Sequence, residues 1–149
     1  MCGDRASPAW FASPQPDWPP NSHTTDFPLF DDAGAAASSD VEAFVTAGAP
    51  PIVHHGGMGT IALPLGAGTP QLAVPLFDDQ PDNAARVERL GVGDVLAATK
   101  SRADSVAAKL EALLASREVA DRCQTIAARM RTPDRFGKAC EIIERYLPG

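Results

Sequence analysis

One short segment of the sequence combines residue types that can hold an anion. His54–Thr60 reads HHGGMGT and lies between an apolar pair and a helix-forming stretch. Three glycines in four residues let the backbone turn tightly and approach a ligand closely. A helix that begins here offers N–H groups and a partial positive charge, which favour a phosphate-like anion. Histidine and the Thr60 hydroxyl can donate further hydrogen bonds. A purely structural glycine turn remains the alternative.

The elements around this segment alternate between short apolar stretches and helices. Ile52–Val53 begins a strand, and Ile61–Ala67 is predicted as a helix closed by Gly-Thr-Pro. Gln71–Val74 is a second short strand between two prolines, and the predicted helix Asp82–Leu90 follows it, with Asp82 as cap and Gly91 as stop. This alternation indicates an α/β unit with a parallel sheet.

The last third of the chain is predicted to be helical. In the first helix, apolar residues at helical spacing form one stripe; they are Val106, Leu110, Leu113 and Leu114. In a second helix near residues 119–130 the stripe is Val119, Cys123, Ile126 and Met130. A third helix should start after Thr132 with Pro133 at its first position, and its predicted buried residues are Phe136, Ala139, Cys140, Ile143 and Leu147.

Residues 1–48 have a different character from residues 49–149. Residues 1–51 hold eight of the fourteen prolines. Such a segment cannot form a regular helix and should run extended, but its aromatics predict that it lies against a surface; they are Trp10, Phe11, Trp18, Phe27 and Phe30. Ala33–Ser39 is predicted to be a flexible link, followed by a short helix Val41–Ala47 capped by Asp40.

Composition and charge exclude several classes of function. The chain has 149 residues and a net charge of −6, and its acidity belongs to residues 1–50, which carry seven acids against Arg5 alone. Without a basic stripe we expect no nucleic-acid partner. No apolar run approaches the ~20 residues of a membrane span, and no signal sequence is evident, so a cytoplasmic protein is expected. Cys2, Cys123 and Cys140 suggest neither a zinc site nor a disulfide.

Four spaced motifs together resemble one enzyme family. They are HHGGxGT, A-G-x-P-Q, P-x-x-x-D-Q-x-x-N-A-x-R and G-x-G, in register over about forty residues from His54 to Gly93. This run resembles the donor-binding region of GT-B fold nucleotide-sugar glycosyltransferases, of the bacterial sterol, lipid and antibiotic type that is similar to UDP-glucuronosyltransferases. The resemblance implies an incomplete Rossmann-like C-terminal domain of that fold, with few short parallel strands followed by the helical third.

The resemblance also implies roles for individual residues. His55 matches the histidine that contacts the donor diphosphate, and the neighbouring matches around the same phosphates are Gly57, Gly59 and Thr60. Asp79 and Gln80 match the pair that binds hydroxyls of the transferred sugar. Asn83 is expected to cap or brace the following helix, and His54 to pack beneath the loop. A solvated face is expected for Arg86 and Arg89. No catalytic residue or cofactor is predicted. The resemblance also implies that no metal is needed, because the histidine and the helix N-terminus would neutralise the leaving diphosphate.

The chain departs from the family pattern in two main ways. The acceptor domain that precedes this region in the family is absent from the sequence. Val53 is followed at once by His54, where the family has on the order of ~60 more residues, or two βαβ units. Pro64 falls inside a predicted helix, and Leu63 stands where plant relatives place a ribose-binding glutamate. We therefore expect partly uncovered apolar faces, marginal stability, and self-association or dependence on a partner.

These observations favour a protein that carries the donor diphosphate- and sugar-binding part of a hexosyltransferase. A complete relative would transfer a sugar from a UDP- or dTDP-sugar to a hydroxyl acceptor, and we do not expect that activity from this chain alone. A separately encoded acceptor domain could complete the enzyme. Two alternatives stay open: a non-catalytic binding or interaction module, and a decayed gene fragment.

Overall fold

The computed structural model describes residues 4–5, 8–20, 22–27, 50–131 and 137–146. The predicted link Ala33–Ser39 and the predicted helix Val41–Ala47 lie outside these residues, as do the cap Thr132 and Pro133 of the last predicted helix. The proposed division of the chain at residue 48 falls in the same undescribed stretch and stays a prediction. Near the N-terminus, β1 (Asp4–Arg5) and β2 (His23–Thr24) form a short parallel pair.

A three-stranded parallel sheet lies at the centre of the structure. Its strands are β3 (Ile52–His54), β4 (Gln71–Ala73) and β5 (Gly93–Val95), in the order β3-β4-β5. Ile52 pairs with Gln71, and Gln71 pairs with Gly93. The helices α1 (Met58–Ala67) and α2 (Gln80–Leu90) connect successive strands. Connections of this kind are what parallel strands require, and the predicted α/β class with few short parallel strands is confirmed.

The third strand was not predicted, because Gly93-Asp94-Val95 contains no apolar run. Its place beside β4 depends on Gly93, since a Cβ at this position would collide with the carbonyl oxygen of Gln71 and approach Val87. The missing side chain lets the two backbones come together, a known use of glycine in strands. Asp94 is then held by Lys109, whose ammonium lies 2.6 Å from the carboxylate.

Both connecting helices begin earlier than their predicted starts. The first helix begins at Met58, directly after Gly57, and ends before Gly68, which takes the left-handed conformation with φ 73°. The second helix begins at Gln80 with Asp79 at the N-cap, so the prediction of Asp82 as cap was wrong. Proline at the next position suits a first helical turn because its φ is already fixed there. Gly91, with φ 70°, ends this helix as predicted.

Pro64 lies inside α1, and the helix runs through it. The proline ring is buried, and its carbonyl accepts the N–H groups of Gly68 and Thr69, the latter at 3.0 Å. Proline has no N–H to donate to the preceding turn. The apolar surface that the ring buries and the closure of the helix C-terminus on its carbonyl both offset that loss.

On one side of the sheet, the connecting helices and the N-terminal segment share a core. The buried members of this core are Phe11, Ala12, Phe27, Ile61, Ala62, Leu65, Val87, Val92, Cys123, Ile126 and Met130. The rings of Phe11 and Phe27 meet edge to face at 5.3 Å between centroids, a favourable geometry for aromatic pairs. Trp10, Phe11 and Phe27 therefore pack in or against this core, as predicted, and Phe30 lies outside the described residues.

The other side of the sheet is covered by the first helix of the helical third. Here α3 (Ala103–Ala115) places Leu113 against Leu72 of β4 and Leu96. Leu110 and Val106 are partly buried beside them, but Leu114 is 59% exposed, so its predicted place in the stripe was wrong. A helix that touches a narrow three-stranded sheet buries a narrow stripe, and Leu113 alone of the adjacent pair points inward.

The two following helices differ in how well their buried faces were predicted. In α4 (Arg117–Met130) the predicted Cys123, Ile126 and Met130 are buried and Val119 is partly buried. Burial raises the pKa of the Cys123 thiol to about 11, which fits a small apolar core residue.

In α5 (Gly137–Glu144) Ile142 is buried, whereas Cys140 and Ile143 are exposed, contrary to prediction. The inward face is set by Ile142 and half-buried Ala139, one step around the helix. Phe136 and Leu147 lie outside the described residues.

Several large apolar side chains remain exposed in the described residues, as expected for a shortened domain. They are Val53, Leu63, Leu76, Phe77, Leu114, Ile143 and Tyr146. Val53 belongs to β3, which is the edge strand of the three-stranded sheet and pairs there only with β4. Parallel sheets are normally covered on both faces, so the exposed Val53 marks a place where this sheet is incompletely covered. Among the helices of the described ranges, none is long and apolar enough to cross a membrane.

Leu72→Ala should lower the free energy of unfolding by about 2–5 kcal/mol, because it empties a fully buried position between the sheet and α3. Leu114→Ala is the matched control and should change it by less than about 0.5 kcal/mol, since Leu114 is exposed. Urea unfolding followed by circular dichroism measures both. Equal effects from the two substitutions would contradict the described packing.

Candidate functional site

The predicted site residues lie at the carboxyl edge of the parallel sheet. The loop after β3 leads into α1, and the loop after β4 leads into α2. Because β3 and β4 are adjacent and parallel, both loops and both helix N-termini meet at one edge. In open α/β sheets this edge is where ligands bind. The topology therefore brings together two groups of residues that are more than twenty positions apart in sequence.

Gly56 is the turning point of the first loop. Its φ of +94° lies in the left-handed region that glycine tolerates and other residues avoid. A Cβ at this position would lie 3.0 Å from the backbone oxygen of Gln80, so the loop is packed directly on the start of α2. The Gly56 N–H donates to Nδ1 of His54 at 3.0 Å, and its carbonyl accepts from Nδ2 of Asn83 at 3.2 Å. Side chains therefore hold both polar backbone groups of Gly56.

His54 is buried beneath this loop, as predicted, and is fixed in one tautomer. Its Nδ1 accepts from Gly56, so the ring proton sits on Nε2 and is donated to Oε1 of Gln71 at 2.9 Å. Burial lowers the pKa of His54; the bond to Gln71 opposes this shift, and the nearby His55 adds to it. Gln71 is fully buried, and its Nε2 has no hydrogen-bond partner among the described residues. The side-chain amide of Gln71 is thus oriented with its oxygen toward His54, where it accepts the imidazole N–H.

His55 points away from the core and is exposed at the start of the helix. Its Nε2 lies 2.6 Å from where a Cβ of Gly57 would be, so the ring lies across the glycine. Gly57 occupies the N-cap of α1, and no side chain caps that helix end. Nothing lies within 4 Å of a Cβ placed on Gly59, and Thr60 is half-buried beside it. The predicted phosphate-binding residues thus surround an open helix N-terminus.

Asp79 and Gln80 stand at the N-terminus of α2, beside that loop. Asp79 is exposed, and its Oδ2 accepts from Nδ2 of Asn83 at 2.9 Å. Gln80 is buried, and its Oε1 accepts the N–H groups of Leu76 at 2.9 Å and Phe77 at 3.3 Å. The side-chain oxygen of Gln80 therefore stabilises the loop that precedes α2. A contact between this side chain and a ligand would have to use the amide nitrogen. The turn also contains Asp78 with φ 54°, a conformation that is uncommon for aspartate.

Two residues have larger roles than their sequence pattern indicated. Asn83 braces α2 as expected, but it also reaches across to the glycine loop. Arg86 was predicted to lie on a solvated face, which was wrong: its side chain is 21% exposed. It donates to Oδ1 of Asn83 at 2.8 Å, pairs with Asp82 at 2.6 Å, and lies over the ring of Phe11 at 5.8 Å. The spacing of Asn83 and Arg86 by three residues on one helix was the available signal.

Metal ligands are not clustered at this site. Within the described part of the chain, no group of three or more His, Cys, Asp or Glu side chains could hold a metal ion. The donors that the site offers to an anion are backbone N–H groups at a helix N-terminus, the Thr60 hydroxyl and the His55 imidazole. Such donors suit a phosphate group, and the nearby carboxylate of Asp79 suits hydroxyl groups.

Gly56→Ala should destabilise the fold by about 1–3 kcal/mol, because alanine is strained at φ +94° and its Cβ would press on Gln80. Gly59→Ala is the control and should be neutral or stabilise by up to about 1 kcal/mol, because its Cβ meets open space in a helix. Urea unfolding measures both. A Gly56→Ala protein as stable as the Gly59→Ala protein would contradict the described loop.

The stability of the fold should fall on acidification in a way that depends on His54. The folded state binds this proton less readily than the unfolded chain, because burial lowers the pKa of His54 from 6.5. The contribution is therefore complete above about pH 6.5 and is lost as the pH falls through the lowered folded-state value. The urea midpoint should drop between about pH 7.5 and pH 5 more steeply in the wild type than in His54→Asn. Identical pH profiles would rule out this linkage.

Comparison with known proteins identifies the chain's relatives. Residues 41–143 match the family described as erythromycin biosynthesis protein CIII-like, C-terminal domain. An uncharacterized glycosyltransferase of Mycobacterium leprae is 42% identical over 96 residues, which cover 62% of this chain and 22% of that protein. The O-mycaminosyltylonolide 6-deoxyallosyltransferase of Streptomyces fradiae is 34% identical over 97 residues, covering 64% and 23%.

The fold agrees with these sequence relatives. The crystal structure of the glycosyltransferase of kitacinnamycin superposes with a TM-score of 0.62 at 26% identity, covering 87% of this chain and 36% of that one. The matched part of the chain spans less than a quarter of the length of these two curated relatives. The motifs at the sheet edge, the family match and the fold agree, and the chain belongs to the erythromycin biosynthesis protein CIII-like C-terminal domain family, a part of the GT-B glycosyltransferases.

Proposed function

We propose that this chain binds the nucleotide-sugar donor of a glycosyl transfer reaction. The observation that carries the proposal is that Gly56 packs on Gln80, which joins the glycine loop and the Asp79 turn into one site. The diphosphate would lie at the N-terminus of α1, near His55, Gly57, Gly59 and Thr60. The sugar would lie toward Asp79 and Gln80.

The charges of the two halves suit such a ligand. A helix N-terminus carries a partial positive charge and favours the negative diphosphate. The imidazole of His55 is exposed at the same place and can donate a hydrogen bond to a phosphate oxygen. Asp79 is an acceptor for sugar hydroxyls and one of its oxygens is already oriented by Asn83. In a complete enzyme the same donors would stabilise the diphosphate as it leaves the sugar.

The contribution of this chain to a full reaction would be donor binding. The matched segments cover only 22% and 23% of two relatives, and we propose that an acceptor-binding component acts together with this chain. The transferred sugar would come from a UDP- or dTDP-sugar, and the acceptor would be a hydroxyl group. The cytoplasmic location and the lack of a nucleic-acid partner belong to the same proposal and stay predictions from the sequence.

A second candidate is an interaction module without donor binding. The adjacent exposed side chains of Leu76 and Phe77 favour it, and Val53 is also exposed on β3, because exposed apolar groups can mark contacts with a partner. Analytical ultracentrifugation over a range of concentrations tests self-association. A folded monomer that binds nucleotide-sugar would favour the donor-binding proposal over this candidate.

His55→Ala should weaken binding of dTDP or UDP by about tenfold or more, because a hydrogen bond to a charged group contributes about 1.5–3 kcal/mol. Isothermal calorimetry with the free diphosphates and their glucose or rhamnose conjugates measures it. His23→Ala is the matched control, since His23 contacts Tyr146 at 3.3 Å and not the site. No binding by folded wild-type protein at about millimolar ligand, the weak limit of useful affinity, would overturn the proposed function.

A further inference from the structure

Asn83 uses its whole side-chain amide within the protein. It is 1% exposed. Its Nδ2 donates to the carbonyl of Gly56 at 3.2 Å and to Oδ2 of Asp79 at 2.9 Å. Its Oδ1 accepts from Arg86 at 2.8 Å. The bond from Arg86 fixes which end of the amide is the oxygen, so both N–H groups must face the loop and the carboxylate.

These bonds reach both halves of the proposed site. Gly56 belongs to the loop that would hold the diphosphate, and it is 27 positions away from Asn83 in sequence. Asp79 belongs to the turn that would hold the sugar. A residue that only capped its own helix would bond within the first turn of α2 and would not reach the loop after β3. One buried amide thus sets the position of the carboxylate relative to the glycine loop.

We propose that Asn83 is a positioning residue that couples recognition of the diphosphate to recognition of the sugar, an inference that rests on the proposed function. It touches neither ligand. By holding the carbonyl of Gly56 it fixes the orientation of the peptide units beside His55 and Gly57. By holding one oxygen of Asp79 it leaves the other oriented for a sugar hydroxyl. Arg86, held by Asp82 and lying over Phe11, keeps the amide in this orientation.

Asn83→Asp is the sharpest substitution, because it keeps the size of the side chain and removes both donors. It also places a second carboxylate beside Asp79. Asn83→Ala removes the same bonds without adding charge and serves as the second variant. Glu88→Gln is the control on the same helix, since the Glu88 side chain is exposed and takes no part in the bonds of Asn83 or Arg86.

The first test is the sugar increment, defined as the ratio of the dissociation constants of dTDP and its glucose conjugate, measured by calorimetry on folded protein. Asp79→Asn should remove the increment and weaken dTDP binding less than either Asn83 variant does. Both Asn83 variants should weaken dTDP binding by about fivefold or more and also remove the increment. In the Asn83→Ala background, Asp79→Asn should then have little further effect. Weaker dTDP binding with an unchanged increment, or no change in either quantity, would overturn the coupling.

The second test needs no ligand and separates this inference from the proposed function. In ¹H–¹⁵N spectra of the free protein, Asp79→Asn should shift the amide resonance of Gly56, and the shift should vanish in the Asn83→Ala background. Glu88→Gln should leave that resonance nearly unchanged. A shift that persists without Asn83 would show another route and overturn the coupling. If the Gly56 resonance shifts only when Asn83 is present but no nucleotide-sugar binds, the proposed function fails and the positioning role of Asn83 stands.

Discussion

The peptide groups around Gly56 impose the constraint on which the rest of the site depends. The chain leaves β3, reverses through a left-handed glycine and enters α1 within three residues. No strand or helix partner is available to Gly56 in such a turn, and an unpaired buried backbone group is costly. His54 supplies an acceptor and Asn83 supplies a donor. These two bonds make a glycine-rich turn into a rigid one.

The hydrogen bond between His54 and Gln71 beneath the loop has a cost in stability. Gln71 is placed in the middle strand of the sheet, and its amide nitrogen is left without a hydrogen-bond partner among the described residues. Burying an unpaired amide nitrogen costs about 1–3 kcal/mol. An apolar residue in β4 would avoid that cost but would leave Nε2 of His54 unpaired. The arrangement is understandable if the loop must be held by a neutral imidazole in one tautomer.

The surrounding fold is a small sheet whose two faces are covered to different extents. One face is packed by α1, α2 and α4 together with Phe11 and Phe27 from the N-terminal segment. The other face relies on α3, and the β3 edge leaves Val53 exposed. The matched segments cover only 22% and 23% of two curated relatives. The exposed edge of β3 is where a further strand of a larger sheet would pair.

The sequence by itself determined the family, the α/β class, and the residues gathered at the glycine loop, because those depend on motif spacing and on glycine and proline chemistry that act locally. It also indicated the stripe of α4, where apolar spacing and the buried face coincide. It did not determine β5, whose pairing needs the absent side chain of Gly93 beside Gln71. The inward face of α5, set by Ile142, and the partial burial of Arg86 likewise depended on contacts distant in sequence. The tertiary structure alone decided that Asn83 joins Gly56 to Asp79, because only parallel strands of adjacent register bring the two loops to one edge.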